Sequence, residues 1–284
     1  MTQMDGKRFG ARLRRAMGNR GPLCVGLDPH PALLRSWGLR DDIAGLDRFG
    51  RTVVQALADR VAVIKPQSAF YERFGAKGIG VLESTIRQLR QAGALVLLDV
   101  KRGDVGSTAV AYADAYLDPA SPLAVDALTA SPYLGVGALR PMIDKAISHG
   151  CGVFVLALTS NPEGWPIQHA RTADGRTVAQ TIIDEVAQVN AGVSPLGDVG
   201  VVVGATVGAT GHDLSSLNGP MLAPGLGAQG GRPEDLRTVF GGNLGAVLPS
   251  YSREVLNHGP SVAGLRDAAA RVLDECRSAI GYDG

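Results

Sequence analysis

The chain has 284 residues, enough to bury a sizeable core and a length that one α/β barrel often fills alone. Charged residues make up 19% and the net charge is +1, so the basic excess or stripe of a nucleic-acid binder is missing, and no apolar stretch reaches the length of a membrane span. Cys24, Cys151 and Cys276 are scattered and odd in number, which suits a reducing cytoplasm and buried thiols, and the five histidines show neither HxH nor HExxH metal spacing.

The first twenty residues, MTQMDGKRFGARLRRAMGNR, have no apolar signal-peptide centre. Phe9, Leu13 and Met17 fall at helical spacing and predict a basic amphipathic helix that packs on the rest of the chain. Short runs rich in Val, Leu and Ala then recur, each closed by Gly, Pro or polar residues. They predict strands near 22–28, 61–66, 94–100, 123–129, 152–159, 199–205, 220–224 and 244–249. Several are apolar almost throughout, as strands covered on both faces should be.

Helical periodicity lies between them. Leu46, Phe49, Val53, Val54 and Leu57 share one face, as do Val81, Ile86 and Leu89, and then Ile182, Ile183, Val186 and Val189; 262–280 reads as a closing helix. Strands alternating with helices predict a parallel sheet, and eight such units predict a closed (β/α)8 TIM barrel over an open doubly wound sheet, as a single domain across 1–284. NPEGW and HARTADGRT read as loop, so an excursion is expected at about 160–178, before a helix at 178–190.

In such a barrel, chemistry sits at the C-terminal ends of the strands. Those ends carry Asp28, Lys65, then Asp99 and Lys101 with Asp104 just beyond, and later Thr159, Ser160 and Asn161. Asp99 and Lys101 are two apart and point the same way on a strand, while Lys65 and Asp28 are expected at equal heights on neighbouring strands. A salt-bridge network closing the barrel mouth is the structural alternative. Charges on the tips of three successive strands favour a site, because a fold needing only stability could use apolar residues there.

PGLGAQGG contains Gly225, Gly227 and Gly230, a formal GxGxxG. It follows the seventh strand, and no acidic residue ends a strand about twenty positions on, so a dinucleotide fingerprint is a weak reading. Loops after strands seven and eight of a barrel commonly hold phosphate. Phosphate binding is the expectation: glycine would let backbone N–H groups close around the oxygens, Gln229 would add a side-chain donor and Arg253 a two-pronged cation; the alternative is an ordinary glycine-rich turn and a surface arginine.

Together these stretches resemble a known family. DVKRGDVGST resembles the DxKxxD signature of the orotidine 5′-phosphate decarboxylases. CVGLDP, IKPQSAFYE, SPYLG, LTSNP, VVVGAT and APGLGAQGG extend the likeness, over about residues 23 to 254, to the bacterial branch that includes the mycobacterial enzymes. The resemblance implies a (β/α)8 homodimer that converts orotidine 5′-monophosphate to UMP and CO2 without metal or organic cofactor. It implies that Lys101 donates the proton, that Asp99 faces the substrate carboxylate, and that Lys65 completes the charged array. Asp104 and Thr108 would reach the partner subunit's site, Asp28 the ribose, and Ser160 the pyrimidine. Gln229 and Arg253 would hold the phosphate, with Gly227, two residues before Gln229 in the glycine loop, also binding substrate. PSYSREV departs from the Gly-Arg-Ser-Ile type of last strand found in other branches. A sugar-phosphate decarboxylase or aldolase of the same barrel group, which usually needs Mg2+, is the nearest alternative; KPQSAFYE and Ser160 favour a nucleotide. A non-catalytic nucleotide-binding barrel is the alternative from another class.

Overall fold

Eight strands pair in chain order and the last closes on the first, all parallel, in a computed structural model that describes residues 5–282. They are β1 (Cys24–Leu27), β2 (Val63–Pro66), β3 (Leu95–Arg102), β4 (Ala127–Ala130), β5 (Gly152–Leu158), β6 (Val199–Val203), β7 (Met221–Pro224) and β8 (Val247–Tyr251). Positions 1–4 of the expected N-terminal helical stretch, and 283–284 at the chain's end, lie outside the described residues.

The helices are α1 (Phe9–Arg20), α2 (Pro31–Ser36), α3 (Ile43–Leu57), α4 (Ala69–Glu72), α5 (Gly75–Gln91), α6 (Gly106–Leu117), α7 (Arg140–Ser148), α8 (Trp165–Gln168), α9 (Val178–Val189), α10 (Asp235–Phe240), α11 (Arg253–Leu256) and α12 (Val262–Ile280). Side-chain caps start three of the longer ones: Asp42 accepts from the Gly45 N–H, Thr177 from Gln180 and Ser261 from Gly264. None of the described helices is long and apolar enough to cross a membrane.

The apolar faces expected for α3, α5 and α9 turn onto the outer side of the barrel, where Leu46, Phe49, Val53, Ile86, Leu89, Ile183 and Val186 are buried. A second cluster fills the barrel interior. Phe9, Leu13 and Met17 of α1 pack there against Cys24, Val63, Leu97, Ala127, Phe154 and Leu248. The rings of Phe9 and Phe154 meet edge-on, their centroids 6.0 Å apart. Just before β4 and β6, the buried carboxylates Asp126 and Asp198 pair with Arg12 and Arg8 at 2.6 and 2.7 Å. The amphipathic first helix thus plugs the N-terminal end of the barrel, and the C-terminal end is left for polar groups.

Side-chain parity carries that division along each strand. Val63 faces the interior plug, and Lys65 lies two residues further on the same face. Leu97 stands in the same relation to Asp99, and Ala127 to Thr129.

Four local expectations are corrected. β4 starts at Ala127, not 123, because Ser121 and Ala124 are tied into a turn after α6. β8 is Val247–Tyr251, since Leu244–Ala246 forms a 3-10 turn, so Ser250 and Tyr251 belong to the strand. NPEGW is not open loop: Pro162–Gly164 is a 3-10 turn and α8 follows, with Pro162 and Pro166 in first-turn positions where a missing N–H costs nothing. Between β6 and β7, residues 204–220 run without a helix among the described residues. That connection is fastened instead by Gln180 of α9, which donates to the Asp213 carbonyl and accepts from its N–H.

Candidate active site

Lys65, Asp99 and Lys101 converge on one carboxylate at the C-terminal mouth of the barrel. Lys101 Nζ lies 2.6 Å from Asp99 Oδ1, and Lys65 Nζ lies 3.2 Å from Asp99 Oδ2. Asp99 is 9% exposed and the Lys65 side chain is also 9% exposed, whereas the Lys101 side chain is 47% exposed and opens to the mouth. Burial alone would raise the Asp99 carboxyl, but Lys65 and Lys101 outweigh it and hold it well below the ordinary carboxylate range. Burial alone would depress the Lys65 amine; Asp99 and Asp28 reverse the sign and hold it above its ordinary value.

Lys101 shares Asp99's side of the strand, as the spacing predicts, but not through regular pleating. The β3–β4 register jumps from Leu98↔Leu128 to Arg102↔Ala130, and Lys101 adopts φ +46°. A non-glycine residue there is strained by roughly 1–3 kcal/mol. Thr129 of β4 spans the irregularity. Its hydroxyl donates to Asp99 Oδ1 at 2.8 Å and accepts the Val100 and Lys101 N–H groups at 3.1 and 3.0 Å. Sequence reasoning missed it, because its only signal is a single hydroxyl residue closing the fourth apolar run.

Asp28 follows β1, and the equal-height expectation is corrected: Gly26, not Asp28, pairs with Lys65, so Asp28 stands one pleat repeat further out. Its Oδ1 is buried with no hydrogen-bond partner among the described residues, and the same holds for Ser252 Oγ. Gly26 makes room for both, since a Cβ there would come 2.9 Å from Asp28 Oδ2 and from Ser252 Cβ. Arg253, exposed at the start of α11, shares this edge. Burial lowers the His30 pKa, Asp28 opposes that, and the Arg253 charge adds to the drop.

On the opposite side of the mouth, Ser160 and Gln229 approach a common point at Gly225. A Cβ on Gly225 would lie 3.6 Å from Gln229 Oε1 and 3.8 Å from both Ser160 Oγ and the Ala205 nitrogen. The loops after β5 and β6 enclose a cavity of ≈ 180 Å³ lined by Ser160, Trp165, His169 and Thr206 among others. The glycine loop is bonded largely to itself. The Gly227, Gly230 and Gly231 N–H groups donate to the carbonyls of Gly231, Gly227 and Gly225. Gly227, at φ +68°, therefore acts in the turn, and its N–H is already taken rather than offered to an oxyanion.

Asp104 and Thr108 are not drawn into this cluster. Asp104 accepts from the Val105 N–H beside it, and no hydrogen bond or ion pair joins either residue to Lys65, Asp99 or Lys101 among the described residues. Asp104 is half-buried in the turn before α6 and Thr108 is exposed on the helix's first turn, next to exposed Val105 and Val110. A further tie unforeseen in the sequence is Arg102, paired with Glu72 at 2.5 Å, while Ser68 donates to the same carboxylate. It binds the end of β3 to the KPQSAFYE segment.

The three thiols take no part. Burial pushes Cys24 up to about 12, and Cys151 and Cys276 up to about 11, far from nucleophilic. No three His, Cys, Asp or Glu side chains converge as a cation site among the described residues.

Comparison with known proteins agrees over nearly the whole chain. Residues 21–268 match the model of the orotidine 5′-phosphate decarboxylase / HUMPS family. An orotidine 5′-phosphate decarboxylase of Salinispora tropica is 71% identical over 272 residues, covering 96% of this chain and 98% of the relative. One of Streptomyces coelicolor is 60% identical over 276 residues, with 96% and 98% covered. A crystal structure from Streptomyces avermitilis superposes with a TM-score of 0.94 at 59% identity, over 96% of each chain.

Proposed function

The chain belongs to the orotidine 5′-phosphate decarboxylase / HUMPS family, and from that premise we propose how its residues convert orotidine 5′-monophosphate to UMP and CO2. The observation that carries the mechanism is the pairing of half-exposed Lys101 with buried, ionised Asp99 at the barrel mouth.

The substrate's C6–carboxylate bond breaks, and its electron pair stays on C6 as CO2 leaves. Lys101 Nζ–H lies where that charge develops, stabilises it, and passes its proton to C6. The amine left behind regains a proton from water. Asp99, next to the departing carboxylate, repels it in the bound substrate. Two like charges about 4 Å apart interact by about 4 kcal/mol at an effective dielectric near 20, and each 1.4 kcal/mol is about tenfold in rate. The repulsion fades as neutral CO2 forms. Lys65 keeps Asp99 charged from the buried side, which leaves Lys101 to act on the substrate.

Distant contacts offset the repulsion on binding. Asp28, with a buried oxygen that no group among the described residues satisfies, accepts from the ribose; Ser160 contacts the pyrimidine; Gln229 and Arg253 hold the phosphate. Asp104 and Thr108 serve the partner site of a homodimer, supported by the exposed apolar residues around them. The three buried thiols support a cytoplasmic setting.

A spectrophotometric assay of orotidylate loss in EDTA tests this. Full turnover is expected with the chelator present. Lys101→Ala should fold normally and lose several powers of ten in kcat, on the order of 10^3 or more. A metal-dependent activity, or an active Lys101→Ala enzyme, would reject the mechanism.

A further inference from the structure

We propose that Thr129 is a positioning residue for this reaction: its single hydroxyl holds the break in the β3 ladder that aims Lys101 and Asp99 together. The proposal rests on the chemistry assigned to those two residues above.

A threonine hydroxyl offers one proton and two lone pairs. At Thr129, 1% exposed, all three are engaged. The lone pairs take the N–H groups of Val100 and Lys101, and the proton goes to Asp99 Oδ1. In a regular parallel ladder, strand residues find backbone carbonyls on the neighbouring strand. Here four steps along β3, from Leu98 to Arg102, correspond to two along β4, from Leu128 to Ala130. The amides stranded by that jump bond to the Thr129 side chain instead. One of them belongs to Lys101, whose φ of +46° needs such support.

The polarity of the bonds matters as much as their number. With both lone pairs occupied by amides, the hydroxyl can only donate towards Asp99. It therefore favours the carboxylate over the carboxylic acid, and it leaves Oδ1 shared between Thr129 and the Lys101 ammonium. A valine in its place would keep the shape, leave two buried N–H groups without an acceptor, and free Asp99 and Lys101 to turn. The ground for binding UMP would stay intact, because UMP carries no carboxylate at C6.

Thr129→Val, Thr129→Ser and Lys101→Ala tested side by side decide the matter. Thr129→Val should lose about ten- to a hundredfold in kcat, with KM and the Kd for UMP each within about threefold of the parent. Thr129→Ser, which restores the hydroxyl, should stay within about threefold of the parent in kcat. A merely structural threonine would lower Tm and the number of UMP-binding sites while leaving turnover per site unchanged, and that result overturns the proposal. So does a serine variant as impaired as the valine one. If the valine variant does not fold, Thr129→Cys carries the same expectation, since a thiol keeps the volume but bonds weakly. An inactive Lys101→Ala beside an unimpaired Thr129→Val sinks this proposal alone, whereas an active Lys101→Ala sinks the underlying mechanism.

Discussion

Asp99 receives two ammonium groups and a hydroxyl, and this decides how the fold responds to pH. Folding lowers its pKa below the ordinary 3.8, so the unfolded chain binds more protons than the native state in acid. Its contribution to stability is present above that value and drains away as pH falls beneath it. Lys65 works in the opposite sense. Its pKa is raised above 10.5, so its contribution is complete below that value and is lost as pH rises through the folded pKa. Asp99→Asn should therefore flatten the acid limb of a Tm-against-pH profile, between roughly pH 2 and 4, relative to the parent. Limbs of equal slope would mean that other carboxylates govern acid unfolding. Charges of this kind are legible in the sequence, because four of them on successive strand tips are too costly to be incidental. Thr129 is not, because one hydroxyl residue at a strand end is common and its value depends on a register break that no periodicity encodes.

At the scale of elements, α1 sets the barrel's closed end, and two glycines decide how tightly it seats. A Cβ on Gly10 would fall 2.2 Å from the Leu196 carbonyl oxygen and 2.5 Å from that of Gly197; one on Gly152 would fall 2.3 Å from the Phe9 ring. The Gly10 N–H also donates to Asp198 at 2.9 Å. The Gly10 contacts are with backbone, which cannot swing away as a side chain would. Gly10→Ala should cost about 1–3 kcal/mol through overpacking and lower Tm by roughly 2–12 °C, with kcat per folded molecule unchanged because the site lies at the other end. A Tm within about 1 °C of the parent would mean that the plug tolerates the methyl by shifting. The existence of these elements is legible from periodicity, and their ends are less so. The starts of β4 and β8 are set by turns at Ser121 and at Leu244–Ala246, which apolar content does not mark. The two prolines that open the 162–168 turns look like loop in sequence and act as helix starters in space.

For the molecule as a whole, closure is legible because eight apolar runs alternate with amphipathic stretches, which is the count and alternation of a (β/α)8 barrel. What such a pattern leaves open is the surface. Val105 is 55% exposed, Tyr133 81% and Leu134 53%, all at one side of the barrel mouth. The turn after β3 and the loop after β4 that carry them are tied together by the Ser131 N–H donating to the Arg102 carbonyl at 2.9 Å. Asp104 precedes Val105 in the chain and Thr108 lies on the first turn of α6, and among the described residues no ion pair or hydrogen bond joins either to their own chain's charged cluster. A two-fold dimer through this face would bring Asp104 of each chain towards the mouth of the other. Lys101→Ala and Asp104→Ala proteins are each expected to be nearly inactive alone. Co-expressed in equal amounts, half the dimers should be mixed, and each mixed dimer should hold one site with both residues and one with neither. About a quarter of parental activity should return, and a charge placed in the apolar face by Leu134→Glu should abolish the recovery together with the dimer. If each barrel works alone, mixing restores nothing, and Leu134→Glu leaves the parental activity as it was.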